Sequence, residues 1–238
     1  MLEIAAGIGA VGAIFVAGYN TMAPTSQLYG RTFIGKTAPS REIALTYDDG
    51  PNDPYTFQLL DLLARFNARA TFFMIGKYVD RRPDIARAVA DAGHAIANHT
   101  YTHPNLILQS RWQVEDEIQR CERALDDAVG TRHVPLFRPP FGGRRPVTLR
   151  IVREAGLEPI MWNVTGFDWR GLPADYIKHN VDSHFRDGAV ILLHDGGHIH
   201  FGTDRASTVA ATAHFLERYC GEGYRFRTIP ELMGATEE

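Results

Sequence analysis

From residue 43 onward, short apolar runs alternate with amphipathic helical stretches, and this alternation constrains the architecture more than any other feature. Candidate strands fall at 43–47, 70–75, 94–98, 134–137, 158–163, 189–193 and 224–228. Between them, helical periodicity covers 54–66, 80–92, 110–129, 146–155, 174–186 and 205–220. Gly93, Gly130, Gly156 and Gly188 stand just past helix ends, and Pro83, Pro146 and Pro173 near helix starts. Strands separated by helices imply a parallel sheet, because parallel neighbours need a crossover connection.

Such a sheet is either open or closed into a barrel, and the unusual polar residues discriminate. Asp48-Asp49 follow the first strand, His99 and His103 the third, and Arg138 the fourth. Asp168-Trp169 follow the fifth and His194 ends the sixth. All lie at carboxyl ends of strands, which a barrel gathers around one mouth and an open sheet spreads in a row. The expectation is an α/β barrel of parallel strands, irregular because only seven strands are visible.

A chain of 238 residues suits one domain of barrel size. A net charge of −3 with no polybasic stretch gives no reason to expect a nucleic-acid partner. Cys121 and Cys220 both fall in helical patterns and read as free thiols. Residues 1–19 form an apolar N-terminal segment, uncharged from Ile4 to Tyr19. As a helix that run spans about 24 Å, short of a ~30 Å hydrocarbon core, and no Lys or Arg precedes it. It reads either as a membrane anchor or export signal, or as an extension packed on the domain. Its Gly7-Ile8-Gly9-Ala10-Val11-Gly12 fits a dinucleotide fingerprint, but lacks a preceding strand and a following acid, and is a chance match. Residues 20–41 are polar and turn-rich and read as a linker to a catalytic domain at 42–238.

The chemistry concentrates in Thr46-Tyr47-Asp48-Asp49-Gly50 and His99-Thr100-Tyr101-Thr102-His103. Adjacent carboxylates at a strand end repel unless something positive lies beside them. Histidines spaced i, i+4 are a usual grip for a divalent metal. Pro104 disfavours a helix at His103, so the two imidazoles share a short turn. Asp49, His99 and His103 supply one oxygen and two nitrogens and leave positions open, as a catalytic metal site requires. The same set could hold iron for oxygen chemistry, but the spare acid Asp48 favours hydrolysis.

Together with Arg138-Pro139-Pro140-Phe141-Gly142, Asp168-Trp169 and Leu192-Leu193-His194, these stretches resemble, in order, the five motifs of the NodB-homology polysaccharide deacetylases, carbohydrate esterase family four. The resemblance covers about residues 42–234. It implies a distorted (β/α)7 barrel and removal of acetyl groups from N-acetylglucosamine polymers, peptidoglycan or chitin-like, or less often from acetylated xylan. Asp49, His99 and His103 look like the metal ligands, with Zn2+ the default and Co2+, Ni2+ or Mn2+ alternatives. Asp48 resembles the catalytic base and His194 the catalytic acid. Arg138 is placed like the residue that pairs with the base, and Asp168 like the one that orients the acid. Phe141 occupies the position whose backbone N–H helps hold the oxyanion, while Trp169 and Leu192 match residues lining the acetyl pocket. Phe141 stands for the usual Tyr, Thr165 for the earlier Asp of the fourth motif, and Ile191 where Leu often starts the fifth.

The implied partner is a glycan, and the implied location is the cell envelope or the extracellular space, with membrane association through the N-terminal segment. Competing readings are a hydrolase of another amide or ureide on the same barrel and a non-catalytic carbohydrate-binding relic. Retention of Asp48, Arg138, Asp168 and His194 together speaks against the relic, since binding alone needs no acid–base pairs. His198 and His200 follow Asp195-Gly196-Gly197 and read as surface-loop residues near the mouth.

Overall fold

The computed structural model describes residues 16–38 and 40–234. Strand β1 (Glu42–Gly50) is the hub, pairing in parallel with β2 (Ala70–Met74), β7 (Val190–His194) and β8 (Arg225–Phe226). Strands β3 (Ala95–Asn98), β4 (Leu136–Phe137), β5 (Glu158–Pro159) and β6 (Val164–Thr165) complete a sheet of order β5-β4-β3-β2-β1-β7-β6, parallel throughout. The expected strand 158–163 becomes two pieces because it changes partner midway. Its start pairs with β4 and its continuation with β7, so one bent run joins both edges and curls the sheet into a distorted barrel.

Helices α1 (Tyr55–Arg65), α3 (Pro83–Asp91), α4 (Arg111–Val129), α5 (Pro146–Glu154), α6 (Ala174–His184) and α7 (Ala206–Gly221) fall where periodicity puts them. Helix α4 begins at a capping box between Ser110 and Gln113 that satisfies orphaned amides at its start. Two short helices escape the sequence pattern, α2 (Gly76–Arg81) and α8 (Ile229–Met233), each under two turns long.

Alternation along the strands separates two cores. Ile43, Leu45 and Tyr47 of β1, with Ile191 and Leu193 of β7, pack outward against the helices. Ala44, Phe73, Ala97, Val190 and Leu192 point into the barrel, whose lower end is filled by Ile229 and Leu232 of α8. Following the inner face upward, Ala44 and Thr46 lead to Asp48, and Val190 and Leu192 lead to His194. The polar groups are therefore the top layer of the barrel interior.

The stretch 20–41 is not the linker that its composition suggests. Phe33 forms a parallel bridge to Ile160, donating its N–H to Pro159 O and accepting from Met161 N–H. Lys36 N–H donates to Gly188 O, and Phe33 and Ile34 pack against the inner core. These residues fill the space left where the bent strand passes from β4 to β7. Their polarity serves a seam where backbone groups need partners. Of the apolar segment 1–19 only residues 16–19 are described, within a helical stretch at 16–22; the rest lies outside the described residues. No described helix is long and apolar enough to cross a membrane.

Candidate active site

In a regular strand, Asp48 and Asp49 would point to opposite faces. The register slips here: Asp48 pairs with Phe73 and Gly50 with Met74, leaving Asp49 as an extra residue with φ 70°. Such a bulge re-aims the side chain. Both carboxylates reach the same spot, Asp48 Oδ2 at 3.8 Å and Asp49 Oδ1 at 3.5 Å from His99 Nε2. Gly50 is required just after, since a Cβ there would lie 2.2 Å from Asp195 Oδ2.

His99 leaves β3 and His103 closes the following turn, in which Thr100 and His103 have φ of 66° and 65°. The turn is held from several sides. Asn98 Oδ1 accepts from Thr100 N–H, Thr100 Oγ1 accepts from His103 N–H, and Gly76 N–H of α2 donates to Thr100 O. Buried Glu117 on α4 accepts from the N–H groups of Tyr101 and Thr102 and from the Thr102 hydroxyl, at 2.7–2.9 Å. Carbonyl oxygen only accepts, so the 2.8 Å contact of His99 Nδ1 to Arg138 O puts the proton on Nδ1 and the lone pair on Nε2.

One ligand atom each from Asp49, His99 and His103 lies within 4.8 Å of the others. His103 Nε2 is 3.2 Å from Asp49 Oδ1, and that oxygen is buried with no hydrogen-bond donor among the described residues. An orphaned buried carboxylate oxygen facing two imidazole nitrogens fits a divalent cation. Burial opposes charge on Asp49, yet contacts to His198 and His99 outweigh it and hold its carboxyl well below the usual range. Burial pushes His103 down to about 3, so its ring is neutral, as a ligand must be.

Arg138 is fully buried beside this cluster. It donates from Nη1 to Asp48 Oδ1 at 2.7 Å and to Thr46 Oγ1 at 2.8 Å, and from Nη2 to Met161 O at 3.3 Å. Its guanidinium lies over the Phe73 ring at 4.1 Å. Opposite, His194 Nδ1–H donates to Asp168 Oδ1 at 2.9 Å, leaving Nε2 to exchange protons with the cavity that His194 lines. Asp168 Oδ2 accepts from His194 N–H at 2.7 Å and from the Thr208 hydroxyl at 2.8 Å. Burial opposes charging His194, but the Asp168 carboxylate outweighs it and raises the imidazole above its usual value. Burial likewise opposes ionisation of Asp168, and the charge and hydrogen bond of His194 lower its pKa in return.

The cavity over these groups has a volume of about 490 Å³. Leu192 and Trp162 form buried parts of its wall, whereas Phe141 and Trp169 stand at the rim, 47% and 44% exposed. The Phe141 ring packs edge-on against His103 at 4.7 Å, and Trp169 against His194 at 5.3 Å. All ten residues singled out from sequence, namely Asp48, Asp49, His99, His103, Arg138, Phe141, Asp168, Trp169, Leu192 and His194, thus meet at or directly behind one cavity.

Three groups were not legible beforehand. His198 is no mere surface-loop residue: its ring stacks on His103 at 4.5 Å and its Nδ1 lies 3.7 Å from Asp49 Oδ2. Arg205 donates to Gly196 O and Asp168 O, tying the loop after β7 to the acid–base pair. Asp195 is fully buried, accepts from the Thr56 hydroxyl, and is pushed up to about 7 by burial. The sequence places His198 and Asp195 near the mouth but shows none of these contacts, and nothing in it marks Arg205.

Comparison with known proteins agrees with this geometry. A family model described as "Polysaccharide deacetylase" matches residues 35–160. A peptidoglycan-N-acetylglucosamine deacetylase of Bacillus cereus is 38% identical over 193 residues, covering 80% of this chain and 87% of that protein. A chitooligosaccharide deacetylase of Sinorhizobium fredii is 37% identical over 202 residues, covering 83% and 93%. The crystal structure of the Bc1960 peptidoglycan N-acetylglucosamine deacetylase superposes with a TM-score of 0.79 at 32% identity, over 87% of this chain and 94% of that one. A barrel whose top layer carries the five motifs in order, matched in sequence and in backbone by such relatives, belongs to the polysaccharide deacetylase family.

Proposed function

We propose that the chain is a metal-dependent hydrolase that removes N-acetyl groups from N-acetylglucosamine-containing glycans and releases acetate. One observation carries this reading: a buried three-ligand cluster has an uncoordinated carboxylate, Asp48, on one side and a carboxylate-backed imidazole, His194, on the other. A divalent ion, Zn2+ as the default for this donor set, would be held by Asp49, His99 and His103; when bound it lowers the pKa of water from ~15.7 to ~7 and polarises a carbonyl.

The protein's own residues do the rest. Asp48 takes the proton of the attacking water, and Arg138 fixes the carboxylate's position through Oδ1, leaving Oδ2 toward the cluster. Negative charge develops on the acetamide oxygen, and the Phe141 N–H, which sits at the oxyanion-holding position of the third motif, would stabilise it. His194, whose hold on a proton Asp168 strengthens, passes a proton to the departing amine. Leu192 and Trp162 offer an apolar wall for the acetyl methyl and exclude water. The half-exposed rings of Phe141 and Trp169, with Ile199 at 70% exposure, make an open rim where sugar faces stack. An open rim suits a polymer better than the small amide or ureide of the competing reading. Peptidoglycan or chitin-like oligomers are the substrates, at the cell envelope, with membrane association through the apolar N-terminal segment. The test is acetate release from chitooligosaccharides and peptidoglycan, with chelator and with zinc added back. Acetate release that chelator leaves untouched, or none from either glycan, rejects the proposal.

A further inference from the structure

Arg144 is among the largest fully buried side chains of the protein, and none of the reacting groups described above touches it. No carboxylate among the described residues pairs with it. Instead its donors go to backbone carbonyls on two separate segments. Nη1 donates to Gly142 O at 3.1 Å, within the loop that carries Phe141. Nη2 donates to Ala23 O at 2.7 Å and Ser26 O at 2.8 Å, and its backbone N–H donates to Thr21 O at 3.1 Å. A planar fork with several fixed donors is suited to locking two backbone stretches together.

The loop on the receiving end needs such support. Phe141 has φ 58°, a left-handed conformation that side chains other than glycine rarely adopt, and Gly142 follows at φ 69°. A Cβ on Gly142 would come within 2.8 Å of Trp162, so the loop is pressed against the cavity wall. Strained backbone of this kind persists only where its surroundings over-determine it. The N-terminal turn is itself clipped: Asn20 Nδ2 donates to Val16 O at 2.6 Å, and the Ser26 hydroxyl donates to Asn20 Oδ1.

We infer that Arg144 is a positioning residue for the Phe141 loop, and that residues 16–26 act as an intramolecular clamp which holds that loop through it. The effect on turnover rests on the deacetylase reading above; the effect on the loop does not. The experiment uses the full chain carrying Arg144→Met, Arg144→Lys, or the remote pair Asn20→Ala with Ser26→Ala. Zinc affinity, KM and kcat on a chitooligosaccharide, and amide exchange at Gly142 and Gly143 are measured. These two amides donate to Pro139 O and Pro140 O and report loop closure. A misplaced oxyanion donor lowers kcat about 10- to 100-fold in Arg144→Met, with zinc affinity and KM within about twofold of the parent. Arg144→Lys and the remote pair fall between that variant and the parent, and exchange at both amides quickens in all three. Unchanged exchange at both amides overturns the inference, as does zinc affinity falling in step with kcat, which would make Arg144 a support of the whole site. Should Arg144→Met fail to fold, the remote pair decides alone. Should the parent release no acetate, the deacetylase reading fails while amide exchange still judges the clamp.

Discussion

Replacing Asp48 by Asn separates the ion pair that the structure shows at this carboxylate from the role of base proposed for it. Asn is nearly isosteric and can still accept the Arg138 Nη1 hydrogen bond, which is 2.7 Å long here. What disappears is the negative charge, leaving a guanidinium with no exposed surface beside a neutral amide. Removing one partner of a buried ion pair costs about 3–5 kcal/mol, because the other stays desolvated without compensation. In a chain of this size that is a fall of about 6–20 °C in melting temperature, measured with chelator in both proteins. Turnover falls by about 10²–10⁴, as expected when a general base is lost. A second substitution distinguishes the two losses. Arg138→Met in the Asp48→Asn background removes the stranded charge and restores much of the stability, yet leaves the enzyme inactive. A melting temperature within about 2 °C of the parent for Asp48→Asn refutes the claim that Arg138 depends on this carboxylate. Residual turnover above about a tenth of the parent's refutes its role as base.

Three further outcomes are expected. Zinc at a hundredfold excess over its dissociation constant stabilises the parent by about 2.7 kcal/mol in thermal denaturation, and leaves His99→Ala and Asp49→Ala unmoved; equal stabilisation of the variants removes those residues from the ligand set. In Asp168→Asn, burial of His194 persists while the carboxylate that raises its pKa is gone. Its acid form is then lost at lower pH, so the alkaline limb of the kcat/KM profile moves to lower pH; a limb that stays in place assigns the acid elsewhere. Trp169→Ala raises KM for a chitotetraose about 2- to 10-fold with little change in kcat, as loss of one stacking contact requires; a fall in kcat alone places Trp169 in the chemistry instead.

Much of this arrangement is legible from residue order because both governing patterns are local. Period-two alternation along 43–48 and 189–194 separates helix-facing Leu45 and Ile191 from inward-facing Thr46 and Leu192, and the motif residues cap the inward files. What resisted reading depends on pairing between distant segments. The bulge that turns Asp49 beside Asp48 is visible only in the register against β2. The bent run 158–165 is apolar from Pro159 to Trp162, with nothing to mark the exchange of β4 for β7. His198 looked like loop decoration because its ring contact is to His103, almost a hundred positions earlier. The misread segment 20–41 shows the same limit, since its polar composition suits a linker and a seam equally.

That seam also bears on biosynthesis. Phe33 and Lys36 leave the ribosome well over a hundred residues before Pro159, Ile160 and Gly188, which they meet. Their backbone groups stay without these native partners until those later residues emerge, and contacts so distant in sequence form slowly because a large loop must close first. Residues made later thus hold in place residues made earlier, and a nascent chain stalled before Gly188 holds Asp49, His99 and His103, the proposed metal ligands, but cannot close this seam of its barrel.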